Sequence, residues 1–205
     1  RQARHRLPRE RRGAAGEPAE VATPPRTRRG DTRRGTRHLI EVDTTTLLTT
    51  LAMGAGATAA IDLWNAVLFR AFGVRSLDYC VLGRWVRGMA HGRFVQRGLP
   101  TAPALPGECP IGWLAHYGIG LTLAGAFVAL VTPQWLASPT LGPAVAFGLA
   151  TVVFPFFIMQ PAFGLGIAAS RTPSPAAARL KSLGTHTVFG LALYGLAVAA
   201  RVFAR

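Results

Sequence analysis

The chain reads as an all-α polytopic membrane protein, with four transmembrane helices and a short interfacial helix in the first long loop. Three observations predict this fold class. Leu141 to Gly166, LGPAVAFGLATVVFPFFIMQPAFGLG, runs twenty-six residues without a formal charge, and a helix needs roughly 20 apolar residues to cross ~30 Å of hydrocarbon. Three other segments share its character. Half of the 205 residues are hydrophobic and only 16% are charged, which is too apolar for a soluble domain of this size.

The net charge of +14 suggests a nucleic-acid partner until its placement is considered. Residues 1–40 hold twelve Arg against Glu10, Glu17, Glu20 and Asp31. They are rich in Arg, Pro and Gly without apolar periodicity, the composition of a disordered tail. The favoured reading is a region translated from a start upstream of the native one. The next is a solvated arm drawn to anionic lipid. A nucleic-acid arm comes last, because no aromatic residue is interleaved for base stacking, so no nucleic-acid partner is expected. A secretory signal is not expected either, since the apolar stretch that follows is too long.

The membrane domain is expected over residues 41–205. Its first span covers about 44–69, with Ala52, Gly56 and Ala60 at the four-residue spacing that lets helices approach closely in lipid. Gly54, Thr58 and Asp62 form the neighbouring stripe, and Asp62 is the acid of the spans, so it belongs toward the bundle interior or water. In the connection from Arg70 to Pro110, Ser76 to Met89 predicts the interfacial helix. Leu77, Val81 and Trp85 lie on one side of it, beside Arg84 and Arg87. Cys80 and Cys109 lack metal-ligand spacing and support neither a zinc site nor a disulfide framework.

The second span covers about 111–131, with Gly112, His116, Gly120 and Ala124 on one stripe and Trp113 and Tyr117 suited to the interfacial aromatic belt. The third, about 141–163, carries Gly142, Ala146 and Ala150 at four-residue spacing. Pro155 and Pro161 each remove a backbone donor and predict a kink or an end, tolerated in lipid where neighbouring protein satisfies the freed carbonyls. The fourth, about 182–203, places Ser182, His186, Gly190 and Tyr194 on one face.

Four spans put the two long loops on one side, with Arg70, Arg75, Arg84, Arg87, Arg93, Arg97, Arg171, Arg179 and Lys181. Those nine basic residues face Arg201 and Arg205, or seven once the five tail arginines nearest the first span are included. The positive-inside rule then predicts cytoplasmic loops. The Arg-for-Lys bias with abundant Ala, Gly and Pro suggests a GC-rich bacterial genome, hence a bacterial inner membrane.

Because the spans alternate in direction, Asp62, His116, Gln160 and His186 fall at similar depth, roughly 6–10 Å below one interface. This cluster is the candidate site, with Arg84, Glu108 and Arg171 as a candidate rim. Its residue types admit several uses. They include hydrogen bonds that hold helices together, a binding or proton-relay site, and, through His116 and His186, a haem or divalent-metal site. No cofactor is expected in the leading reading. No nucleophile motif, phosphate loop or dinucleotide fingerprint appears, and Gly54-Ala55-Gly56 and Gly164-Leu165-Gly166 read as packing or turn glycines.

Five stretches together resemble a known family: GAGATAAIDLWN (54–65), GRWVRGMAHGRF (83–94), PGECPIGWLAHYGIG (106–120), FPFFIMQPAFGLGIAASRTPSP (154–175) and RLKSLGTHTVFGLALY (179–194). They resemble the bacterial membrane proteins catalogued as domain of unknown function 2938. The resemblance implies a four-span integral membrane protein and brings no established activity, cofactor or catalytic residue. The Arg-rich tail has no counterpart in it, which places the expected native start near Val42. The sequence thus predicts a non-enzymatic membrane protein, in contact with the bilayer, whose polar cluster binds a small ligand or relays a proton in a transporter-like oligomer. The alternatives are a haem- or metal-binding redox protein and a structural partner subunit of a membrane complex.

Overall fold

A computed structural model describes residues 44–131 and 133–203; the predicted Arg-rich tail lies outside them. The described residues are helical, without strands. In chain order they form α1 (Thr44–Phe72), α2 (Tyr79–Met89), α3 (Glu108–Leu130), the short α4 (Pro133–Ala137) and α5 (Leu141–Ala150). A turn of π-helix (Pro155–Met159), the three-residue α6 (Gln160–Ala162) and α7 (Pro175–Phe203) complete the order. Four helical segments are long and apolar enough to cross a membrane: α1, α3, the stack Leu141–Ala162 and α7.

The break in the third segment follows from its prolines. Pro155 has no N–H to continue the α ladder, and the chain widens there so that Gln160 N–H reaches back to the Pro155 carbonyl. At its far end, Ala162 and Phe163 carbonyls accept from Gln96 N (2.7 Å) and Gly98 N (3.2 Å) in the α2–α3 loop. Neighbouring protein therefore satisfies carbonyls left over where the helix ends just past Pro161, as an apolar setting demands.

The helices pack as a chain of neighbours: α5 against α7, α7 against α1, α1 against α3, and α3 against α2. Their contacts are made by small residues, though not always those the spacing suggested. On α1 the buried face is Met53, Gly54, Ala57 and Thr58, whereas Ala52 is exposed. On α5 it is Ala144 and Gly148, and Gly142, Ala146 and Ala150 are exposed. Four-residue spacing identifies helical stripes but does not choose among parallel ones; what crosses each helix does. A Cβ on Gly54 would press on the Leu121 backbone, and one on Gly148 on the backbones of His186 and Gly190. The α3 stripe is as expected, with Gly112, Gly120 and Ala124 buried. The core joins Met53, Ala57, Ala124, Phe127, Trp135, Ala144, Phe189, Leu193 and Ala197. Large apolar residues such as Leu63, Leu114, Leu130, Phe157 and Leu180 point outward.

Helix α2 begins three residues later than its apolar pattern predicted, because Asp78 caps it and accepts from Cys80 N at 2.8 Å. It packs on α3. The two backbones nearly touch: a Cβ on Gly83 would overlap the Glu108 carbonyl, and one on Gly112 the Tyr79 carbonyl. Val81, with Leu77 and Trp85 beside it, packs on Leu99, Ala162 and Phe163. This arrangement corrects the expectation for the cysteines. Cys80 and Cys109 form a disulfide across 29 residues, because the starts of α2 and α3 lie side by side. Spacing along the chain carries no record of that approach.

Candidate functional site

Asp62 is the centre of the best-formed polar cluster. Its Oδ1 accepts from Tyr79 Oη at 3.0 Å and from His116 Nε2 at 3.0 Å, and its Oδ2 accepts from Tyr117 Oη at 3.1 Å. Three helices therefore supply one carboxylate and its three donors. The Gly54–Thr58–Asp62 stripe turns the acid toward α3, the adjacent His116 and Tyr117 reach it from α3, and Tyr79 reaches it from the first turn of α2. The His116 ring stacks on Tyr79 with centroids 3.9 Å apart, and Trp113 closes on Tyr79 edge-on at 4.7 Å. Burial first, and then the neighbouring Asp62 carboxylate, push the Tyr79 hydroxyl well above its ordinary range, so it remains a protonated donor.

The hub is not sealed. The Asp62 side chain keeps 23% of its exposure and His116 keeps 13%. An open groove of about 490 Å³ is lined by Asp62 together with Asn65, Phe69, Arg75, Tyr79 and Trp113. The cluster sets a carboxylate and an imidazole within hydrogen-bond distance of each other, beside this groove.

The other two predicted residues form a separate group between the third segment and α7. Thr151 Oγ1 donates to the Gly148 carbonyl at 2.6 Å, which leaves it as acceptor for His186 Nδ1 at 2.7 Å. Gln160 Nε2 faces Ser182 Oγ at 3.5 Å, and Gln160 Oε1 is buried without a partner among the described residues. Thus Asp62 and His116 meet directly. His186 and Gln160 each bond elsewhere, and no hydrogen bond among the described residues joins the two groups.

Two of the candidate rim residues have a different setting from the one expected. Arg84 and Glu108 are buried together as a two-pronged pair, Nε to Oε2 and Nη2 to Oε1, both at 2.7 Å. Arg84 Nη1 also donates to the Leu99 carbonyl at 2.9 Å and to the Ala102 carbonyl at 2.5 Å, while Glu108 Oε2 accepts from Leu105 N. The pair stitches the α2–α3 loop to both helices and presents no free charge to a ligand. Arg171 is exposed.

The sequence reading missed Tyr79 and Tyr117. Tyr117, which suits an interfacial aromatic belt, also gives its hydroxyl to Asp62. The available signal was its place next to His116 at the depth of Asp62. Tyr79 carried no such signal, since only the docking of α2 on α3 brings it to the first span.

In class this is an all-helical protein with four helices long and apolar enough to cross a membrane, holding an acidic hub between two of them. Within that class the chain belongs to the family described as protein of unknown function DUF2938, whose profile matches residues 51–200. No curated protein and no solved structure matches the chain.

Proposed function

We propose that the protein resides in a bacterial inner membrane and uses Asp62 and His116 as a proton-binding relay, in a transporter-like role. The observation that carries this reading is the convergence of three donors on one partly open carboxylate. Ionisable groups within a membrane are costly unless they are used, and Asp62 also lines an open groove. The groove is lined by the end of α1, the α1–α2 connection, Tyr79 and Trp113, and with four spans per chain a transport path would be completed by a second copy. For the redox alternative no supporting observation emerges. No group of three or more His, Cys, Asp or Glu converges among the described residues, and His116 and His186 serve different partners.

The orientation proposed here differs from the charge count. Disulfides persist in oxidising compartments, and the Cys80–Cys109 bond favours placing α2 and the long loops on the extracytoplasmic side. The opposing count is nine basic residues on that side against seven once the nearest tail arginines are included, or two without them. The relay would then open outward.

The test is proton flux in proteoliposomes under an imposed pH gradient. Wild type is expected to dissipate the gradient faster than Asp62→Asn. Equal rates in two folded proteins would refute the relay.

A further inference from the structure

We propose that Arg97, Arg171 and Arg179 form a site for the phosphodiester headgroup of an anionic phospholipid, where the third segment turns into α7. The turn itself gathers them. Gln96 N and Gly98 N donate to the Ala162 and Phe163 carbonyls, and a Cβ on Gly164 would stand 3.2 Å from the Arg97 Cα. Arg171 N donates to the Leu165 carbonyl at 2.9 Å, and Arg179 Nε donates to the Ala168 carbonyl at 2.8 Å. One short turn, residues 163–171, thus holds an arginine from the α2–α3 loop, one of its own and one from the start of α7.

Charge defines the partner. All three arginines are exposed, and no ion pair among the described residues uses them. The acids of the described residues are committed elsewhere: Asp62 accepts from its three donors, Asp78 caps α2, and Glu108 is paired with Arg84. Beyond Glu108 the sequence contains no Asp or Glu, and the residues outside the described structure hold more Arg than acids. The complementary anion therefore comes from the surroundings.

The neighbouring side chains favour a lipid over a soluble anion. Phe94 and Val95, just before Arg97, and Ile167 in the turn are exposed large apolar residues. At the boundary between acyl chains and headgroups such residues dip inward while guanidiniums stay at phosphate depth. Helix length agrees. With 29 residues, α7 is ~43 Å long at ~1.5 Å per residue against ~30 Å of hydrocarbon, so its first turn, ending near Arg179, stands in the headgroup layer. Arg179 uses Nε on the turn, which leaves its terminal nitrogens to donate to phosphate oxygens.

The experiment uses the full chain in mixed-lipid nanodiscs, with trace phosphatidylglycerol or phosphatidylcholine carrying a photoactivatable group near the headgroup. Peptide mass spectrometry locates the labels, so that lipid held by other basic stretches is not counted. Each basic side chain near an anionic lipid surface contributes roughly fivefold to retention. Wild type is therefore expected to label the peptides holding Phe94 and Ile167 with phosphatidylglycerol roughly a hundredfold more than with phosphatidylcholine. Arg171→Gln, whose side chain makes no hydrogen bond among the described residues, should lower that preference roughly fivefold. Adding Arg97→Gln and Arg179→Gln should bring the two probes near parity, while Arg201→Gln, at the other end of α7, should leave the preference intact. Circular dichroism establishes that each variant is folded. Equal labelling of wild type by the two probes would overturn the proposal. So would a full preference in folded Arg171→Gln, or an equal loss in Arg201→Gln.

Discussion

Arg84→Ala is expected to lower the Tm of the detergent-solubilised protein by about 10 °C, because removing one partner of a buried ion pair strands the other. Glu108 would keep its burial and its Leu105 amide but lose both strong hydrogen bonds. The Leu99 and Ala102 carbonyls would lose their donor as well, and unpaired buried groups incur their full desolvation cost. Replacing both residues removes the stranded charge. The double variant Arg84→Met with Glu108→Gln is therefore expected to be clearly more stable than Arg84→Ala. Thermal unfolding followed by circular dichroism checks both values. Equal losses in the single and double variants would mean that packing, not charge pairing, dominates at this point.

Asp62→Ala is expected to cost on the order of 2–4 kcal/mol, from three lost bonds at about 0.6 kcal/mol or more each and the donors left without an acceptor. Asp62→Asn separates structure from chemistry. Tyr79 and His116 both donate to Oδ1, and only Tyr117 uses Oδ2. An asparagine carbonyl oxygen can keep the first two, while its NH₂ opposes the Tyr117 hydroxyl. The expected loss is about a third of that for alanine, on the simple view that the bonds contribute comparably. Chemical unfolding in mixed micelles measures both variants. If Asn and Ala are equally destabilising, the assignment of donors to the two oxygens is wrong. If neither destabilises, Asp62 does not hold the helices together.

The four apolar segments were legible because membrane-length runs depend on composition, which the chain displays directly. The similar depth of Asp62 and His116 was legible too, since alternating direction fixes it, but not that the two meet. What could not be read was rotation and neighbour order. Depth alone grouped Gln160 and His186 with Asp62, yet the third segment packs on α7, so His186 finds Thr151 and Gln160 finds Ser182. On α1 both small stripes meet a neighbour, Gly54 at the Leu121 backbone and Gly56 at the Leu196 side chain, whereas on α5 the buried Ala144 and Gly148 lie off the Gly142–Ala146–Ala150 stripe. The roles of Tyr79, Arg84, Glu108 and the cysteines all rest on one long-range event, the docking of α2 on α3. Two glycines, Gly83 and Gly112, permit it, and glycines are too common here to signal it.

The most direct test of the central claim, that Asp62 is a proton-binding hub, is infrared difference spectroscopy of the protein in lipid between alkaline and acid pH. The account predicts a protonated-carboxyl band in wild type that is absent in Asp62→Asn and displaced in Tyr79→Phe and Tyr117→Phe, whose hydroxyls bond that carboxyl. Superimposable spectra of folded wild type and Asp62→Asn would contradict it.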